Sequence, residues 1–306
     1  MAATSASPSQ NMIPRPSASV IIVNSRNEVL LVHRNPQARH FGGVHVFPGG
    51  NLDKKQDVSL ATTAIRETFE ESGLLLASAT SGSATVLSDA VLDEARMNIH
   101  AQKLNFQTFL SNHQLVPDTN SLLPFTQWIT PVNVLRRFHT QFFVTFLPAA
   151  SSSGFSYGAK QDRIPKPDGG QEVVSARFLH PADALSEFSE GKITFMPPQA
   201  YLLQTLAEVL QGRENTPEQR ERVQTLSRGF FGRMVINPRR LGEPDAEGRT
   251  ILTYEGDETR GGSKGRLHRV LVKFGKGALT SEVRLQRNFD IFTEIEPQAF
   301  AMPSKL

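Results

Sequence analysis

The spacing of apolar residues changes period several times along the chain. Residues 17–35, SASVIIVNSRNEVLLVHRN, form two β-rich apolar runs around a polar turn at 24–27. That pattern predicts a β-hairpin. A Pro, an adjacent Gly pair and a short extended run at 44–47 follow. From about Ser59 the spacing becomes helical: Leu60, Thr63, Ala64 and Thr68 share one side, and Glu67, Glu70 and Glu71 fall on another. Gly73 is placed to end that helix. The run LLLA at 74–77 then predicts the start of a buried strand.

Residues 78–123 read as an insertion, a Ser/Gly/Thr-rich loop leading into DAVLDEARMNIHAQKLNFQTFLSNH with helical apolar spacing. Two aromatic-rich strands are expected over 125–148, and a loop by composition over 151–170. A strand, a short helix, a Pro-Pro turn and a longer helix follow up to about 210. Beyond 213 the chain is more polar, with a charged helix at 216–228 and short strands near 250–254 and 267–274. There is no internal repeat. Strands mixed with helices, without regular βαβ spacing, predict an α/β (α+β) sandwich with a mixed sheet rather than a doubly wound parallel one. The expected division is a tail at 1–15, a main domain at 16–212, an extension at 213–303 and a terminal tripeptide at 304–306.

Composition narrows the chemistry. The 306 residues include no cysteine, which removes disulfides, thiolate nucleophiles and cysteine metal sites. The formal net charge of +3 is spread without blocks of like sign, so nucleic acid is not an expected partner. No apolar run approaches the roughly 20 residues of a membrane span. The first 16 residues lack the basic and apolar regions of a secretory signal. The last three, Ser304-Lys305-Leu306, match the address read by the peroxisomal import receptor, so a peroxisomal location is expected. Oligomeric state is not legible.

The candidate chemistry lies in FPGGNLDKKQDVSLATTAIRETFEESG, residues 47–73. Positions i, i+3 and i+4 share a helix face, so Glu67, Glu70 and Glu71 are expected to present carboxylates to one point. Like charges there destabilise the helix unless a cation neutralises them. An all-oxygen set suits hard divalent ions, magnesium (Mg2+) first and manganese (Mn2+) second. Gly49 and Gly50 would allow positive φ, or close approach of the backbone to an ion or phosphate. A solvated acidic helix face is the plain alternative for the glutamates alone.

This stretch resembles the Nudix box, G-x5-E-x7-R-E-U-x-E-E-x-G-U. Arg66-Glu67, Glu70-Glu71, Gly73 and Leu74 fit in register. Gly50 lies two residues too far upstream, Thr68 replaces an apolar residue, and the first glutamate is missing. Gln56 stands there counting from Gly50, and Val58 counting back from Arg66. The resemblance implies a Nudix fold, a mixed sheet between helices, and hydrolysis of a nucleoside diphosphate linked to another moiety. By that likeness Glu70 and Glu71 are principal metal ligands, Glu67 shares the metal or orients water, and the Gly49 carbonyl completes the site. Arg66 would position Glu67 by a charge-assisted hydrogen bond. The absent glutamate would serve in part to brace the loop.

Upstream, LLVHRNPQARHFGGVHVFPGG is similar to the coenzyme A signature of a Nudix subgroup, with Leu30, Leu31, Arg34, Arg39, Gly43 and 47–50 in place. Val32 and Asn35 depart from it. Further stretches to about residue 210 resemble the peroxisomal acyl-CoA diphosphatases, where His139 stands in place of an expected Asp. The likeness implies cleavage of CoA or acyl-CoA to adenosine 3′,5′-bisphosphate and (acyl-)4′-phosphopantetheine. Arg34 and Arg39, then Arg136 and Arg137, are candidates for the phosphates, with surface or ion-paired arginines as the alternative. Gly50 is expected at the substrate, and Glu172 as a late acidic residue near the metal. A pyrophosphatase for NADH, ADP-ribose or another dinucleotide, and a silent nucleotide-binding module, are the other readings. The eight histidines show no metal-ligand spacing, and Trp128, Phe142, Phe143 and Phe146 read as core. Residues 195–198 are expected to border the pantetheine arm or merely to turn the chain.

Overall fold

The computed structural model describes residues 13–38, 41–80, 87–132, 134, 136–147, 168, 170, 172–275 and 279–294. Arg39, most of the 151–170 segment and the Ser304-Lys305-Leu306 tripeptide lie outside them.

Numbered in chain order, the strands are β1 (Arg15–Val23), β2 (Val29–Arg34), β3 (His45–Val46), β4 (Gly49–Asn51), β5 (Ala77–Ala79), β6 (Leu115–Pro117), β7 (Leu123–Ile129), β8 (Phe138–Phe146), β9 (Val173–Leu179), β10 (Val235–Ile236), β11 (Arg239–Arg240), β12 (Thr250–Thr253), β13 (His268–Phe274) and β14 (Thr280–Arg287). The α-helices are α1 (Leu60–Ser72), α2 (Asp89–His100), α3 (Phe106–Asn112), α4 (Pro181–Ser189), α5 (Pro197–Val209), α6 (Pro217–Arg228) and α7 (Phe230–Arg233). Among the described residues, no helix is long and apolar enough to cross a membrane.

The main sheet runs β10-β7-β8-β1-β2-β3, with β4 also paired to β1 and β9 to β2. It is mixed, as the sequence pattern implies: β1 lies parallel to β8 and antiparallel to β2 and β4. The 17–35 hairpin forms where expected. Asn24 Oδ1 accepts from the backbone N–H of Arg26 and Glu28, and Asn27 takes the left-handed conformation that asparagine tolerates.

Alternation along β1 divides the core in two. Val20 and Ile22 are buried with Ile65 and Phe69 of α1 and with Phe106 and Phe109 of α3. Ile21 and Val23 are buried on the opposite face with α5 and with residues beyond 212. Both faces of the sheet are thus covered by helices. The segment after 212 shares this second core. β10 joins the main sheet through β7, and Val270 and Val272 of β13 pack into the same cluster. Trp128, a core residue as read, sits edge-on to Tyr201 at 5.5 Å and to Tyr254 at 5.2 Å.

Ser59 caps α1 by accepting from Thr62 N–H at 3.1 Å, and Gly73 ends the helix at φ 72° with its N–H on the Phe69 carbonyl. Leu74–Leu76 are buried as predicted, but ladder pairing begins only at Ala77. The 78–123 region holds α2 and α3, bracketed by the β5–β6 pair.

Candidate active site

The site forms where β1 exchanges partners. Its end pairs with β2, while Ser17, Ala18 and Ser19 pair with Asn51, Gly50 and Gly49. α1 packs across β1 and β4, which sets the helix carboxylates beside the Gly-Gly strand. Neither glycine has positive φ, so that part of the sequence expectation is corrected. Close approach is what the glycines provide. A Cβ on Gly49 would strike the backbone of Ala18 and Ser19, and a Cβ on Gly50 would strike the Glu67 carboxylate.

Glu67 and Glu71, one turn apart, face β4. Glu71 Oε2 accepts from Gly49 N–H at 3.1 Å. Glu70 lines the same cavity but is held by other partners. Its Oε1 takes a hydrogen bond from Arg66 Nη1 at 2.7 Å, and its Oε2 lies 3.2 Å from His100 Nδ1. The physical reason is charge: carboxylates crowded on one turn recruit neighbouring cations, Glu67 and Glu70 sharing Arg66, Glu70 also meeting His100, and Glu71 meeting Arg34. Among the described residues no three His, Asp or Glu side chains already stand as a metal-ligand group.

Arg66 is the hub. It reaches Glu67 at 3.0 Å and Glu70 at 2.7 Å, and it forms a two-bond pair with Asp57 at 2.8 and 2.9 Å. Burial opposes its charge, but the Asp57 hydrogen bonds and the surrounding carboxylates outweigh that and raise its pKa. Asp57 also accepts from Thr63 Oγ1 at 3.0 Å and from Asp53 N–H at 3.0 Å, so it ties the loop to the helix. Gln56 points elsewhere: its Oε1 accepts from Phe106 N–H at 2.7 Å, anchoring α3.

Burial is the main force on Glu67 and Glu71. It raises the Glu67 pKa to about 7, with Arg66 opposing and Glu70 and Glu172 adding to the rise. Burial, with the Glu67 charge behind it, raises Glu71 well above the carboxylate range. The hydrogen bond to Glu70 also raises His100, to about 9, which favours its charged form as a donor to Glu70. The side-chain donors present fit a hard divalent ion: Glu67, Glu70 and Glu71 offer carboxylate oxygens, and burial disfavours the ionised form of Glu67 and Glu71, which a cation would compensate.

One cavity of about 490 Å³ brings these groups together. Glu67, Glu70, Glu71, Arg66, Gly49 and Gly50 line it, and so do Arg34 and Glu172. Arg34 bridges Glu71 at 3.4 Å and Glu172 at 3.8 Å, while its buried Nε has no acceptor among the described residues. Arg137 is not among the lining residues; its Nε donates to the Thr130 carbonyl at 2.9 Å. Arg136 is exposed and also absent from the lining.

Four contributors escape a motif reading. Asp57 lies one residue off the box position in each count. His100 and Gln102 come from the inserted α2 and its following turn, and both line the cavity. Arg96 Nε on α2 donates to the Glu70 carbonyl at 2.7 Å, which fixes the insertion over the site. The Nudix box offers no signal for residues 30 positions downstream.

Comparison with known proteins adds the family. Residues 54–206, half the chain, match the family described as the NUDT19 Nudix domain. A Caenorhabditis elegans protein named for nudix hydrolase 7 is 28% identical over 199 residues, covering 64% of this chain and 61% of the relative. The Xenopus laevis acyl-coenzyme A diphosphatase NUDT19 is 24% identical over 238 residues, covering 58% of this chain and 59% of that protein. The chain therefore spans about three fifths of the length of these relatives. The crystal structure of a NUDIX hydrolase from Alicyclobacillus acidocaldarius superposes with a TM-score of 0.54 at 24% identity, over 65% of this chain and 93% of that one. At that identity the likeness speaks for the fold.

Proposed function

The chain belongs to the NUDT19 Nudix domain family of Nudix hydrolases, and from that premise we propose that it cleaves the pyrophosphate of coenzyme A or an acyl-coenzyme A. The products would be adenosine 3′,5′-bisphosphate and (acyl-)4′-phosphopantetheine. The observation that carries this reading is the position of Arg34. It belongs to the coenzyme A signature, and it lines the same cavity as Glu67, Glu70, Glu71 and Glu172 with a buried Nε lacking an acceptor. A phosphate oxygen supplies that acceptor, and the planar guanidinium suits it.

In this reading Glu67 and Glu71, with Glu70 and the Gly49 carbonyl, hold a divalent cation, magnesium by preference. When bound, the ion neutralises phosphate charge and promotes ionisation of water. The remaining work is positional. Arg66 holds Glu67 and Glu70, and Asp57 holds Arg66. Glu67 takes the proton of the attacking water. Arg34 orients the pyrophosphate and balances its charge against Glu71 and Glu172. The Nε of Arg34 would gain a phosphate oxygen as its acceptor when substrate binds. The tripeptide Ser304-Lys305-Leu306 supports a peroxisomal setting, which a fluorescent fusion with and without the three residues tests.

The deciding experiment incubates the purified protein and its Glu67→Gln variant with magnesium and a panel of CoA, acyl-CoA, NADH and ADP-ribose. Products are separated by chromatography. CoA or acyl-CoA turned over fastest, and lost in the variant, supports the proposal. Faster turnover of NADH or ADP-ribose replaces it with a dinucleotide pyrophosphatase. Binding without metal-dependent turnover of any substrate replaces it with a silent module.

A further inference from the structure

The cavity has a second character that the phosphate chemistry does not use. Phe138, Thr140 and Phe142 alternate along β8, in register with Arg15, Ser17 and Ser19 of β1. Phe142 belongs to the core shared with Ile21 and Val23, so this row lies on the sheet face opposite α1. The carboxylates arrive from α1. A ligand in the cavity therefore meets charge from one layer and aromatic rings from the other.

Phe41 stands over that row. Its ring centroid is 6.3 Å from that of Phe138, tilted by 52°. It is 40% exposed, and its backbone takes φ 52°, a left-handed conformation unusual for a bulky residue. Among the described residues, the aromatic contact of this exposed, left-handed Phe41 is with Phe138, and such backbone outliers concentrate at ligand sites. Gln199, near the start of α5, lines the same cavity, and its buried Oε1 has no donor among the described residues. A buried acceptor without a donor is costly. Ser17 and Thr140 add hydroxyls 2.7 Å apart in the same lining.

We infer that Phe41, Phe138 and Gln199 form a subsite for a planar heteroaromatic ring bearing an exocyclic amine, the adenine base of the substrate. This rests on the nucleotide pyrophosphate reading above. The ring stacks on the exposed face of Phe41, and its amine donates to Gln199 Oε1. An acyl chain answers the rings but not the acceptor. A flexible amide arm answers the acceptor but makes poor use of a rigid aromatic face.

The test measures binding of adenosine 3′,5′-bisphosphate and of 4′-phosphopantetheine by calorimetry, which needs no turnover. Phe41→Ala should weaken the bisphosphate on the order of tenfold, as base stacking on an aromatic does. It should leave 4′-phosphopantetheine unchanged, and Phe41→Trp should keep the bisphosphate affinity. Replacing adenine by purine, which lacks the amine, should weaken binding roughly tenfold in the parent and little in Gln199→Leu, because a site built to pair an N–H penalises its loss. Equal effects of Phe41→Ala on both halves, or an effect on 4′-phosphopantetheine alone, overturn the inference. So does an amine penalty that survives in Gln199→Leu, or a parent that binds no bisphosphate. Phe41-dependent bisphosphate binding without any CoA turnover would remove the hydrolase reading and leave this one standing.

Discussion

Asp57 and Arg66 face one another as a closed pair: Nε donates to Oδ1 at 2.8 Å and Nη2 to Oδ2 at 2.9 Å, both side chains buried. The loop-bracing role that the family likeness gives to a missing glutamate is thus filled by an aspartate. Asp57 does so from a loop two residues longer than the box pattern, by reaching Arg66 directly.

Removing one member of a buried ion pair leaves the other charge uncompensated. Asp57→Ala should destabilise the protein by about 3–5 kcal/mol, seen as a lower denaturant midpoint. Turnover should fall as well, because Arg66 loses its anchor and with it the placement of Glu67 and Glu70. Unchanged turnover at a temperature where the variant is folded would show that Arg66 needs no brace.

Gln56 occupies the glutamate position counted from Gly50, yet it serves α3 through Phe106 N–H. Gln56→Glu should therefore bring no gain in kcat. Gln56→Ala should cost about 1–3 kcal/mol in stability, the penalty for a buried donor left unpaired. An activity gain in Gln56→Glu would mean that the glutamate role had been vacant.

The two glycines should respond differently. A Cβ on Gly49 meets the β1 backbone, and one on Gly50 meets the Glu67 carboxylate. Gly49→Ala is expected to lower the melting temperature sharply. Gly50→Ala should spare it and depress kcat, since a side chain can move aside where a strand cannot. Equal melting temperatures for the two variants contradict this.

Burial raises Glu67 from an ordinary 4.5 to about 7. A carboxylate with a raised folded-state pKa contributes stability that is full below its unfolded value and lost as pH rises through its folded one. Metal-free protein should accordingly lose stability between about pH 4.5 and 7 from this group. Magnesium competes with the proton, so its addition should raise the melting temperature more at about pH 8 than at about pH 5.5. A shift independent of pH would show that the ion does not bind at these carboxylates.

His100, a basic group, shifts in the same direction. Glu70 raises it from 6.5 to about 9, so its contribution is full below about pH 6.5 and fades toward pH 9. His100→Ala should flatten that stretch of the stability profile, measured by denaturant titration across pH. A profile unchanged from the parent would assign the slope to other groups.

Much of the fold was legible because it rests on local periodicity. The β1–β2 hairpin, α1 with its Ser59 and Gly73 caps, and α6 beginning after Thr216 all follow from short-range spacing and backbone chemistry. Arg66, Glu67, Glu70 and Glu71 were legible for the same reason, being neighbours on one helix. What lay beyond sequence was every contact made across the fold. Spacing put three carboxylates on one helix face, but the direction of Glu70 depended on His100, thirty residues away on an inserted helix. Spacing could not name Asp57 as the brace, because a loop of altered length meets Arg66 only after it folds. Glycines at 49 and 50 were evident, whereas their reason was a steric one, set by β1 on one side and Glu67 on the other. Sequence by itself determined the elements and the donor chemistry. Tertiary structure decided which donors face one another, since hydrogen bonds and burial act over a few ångströms in space and take no account of distance along the chain.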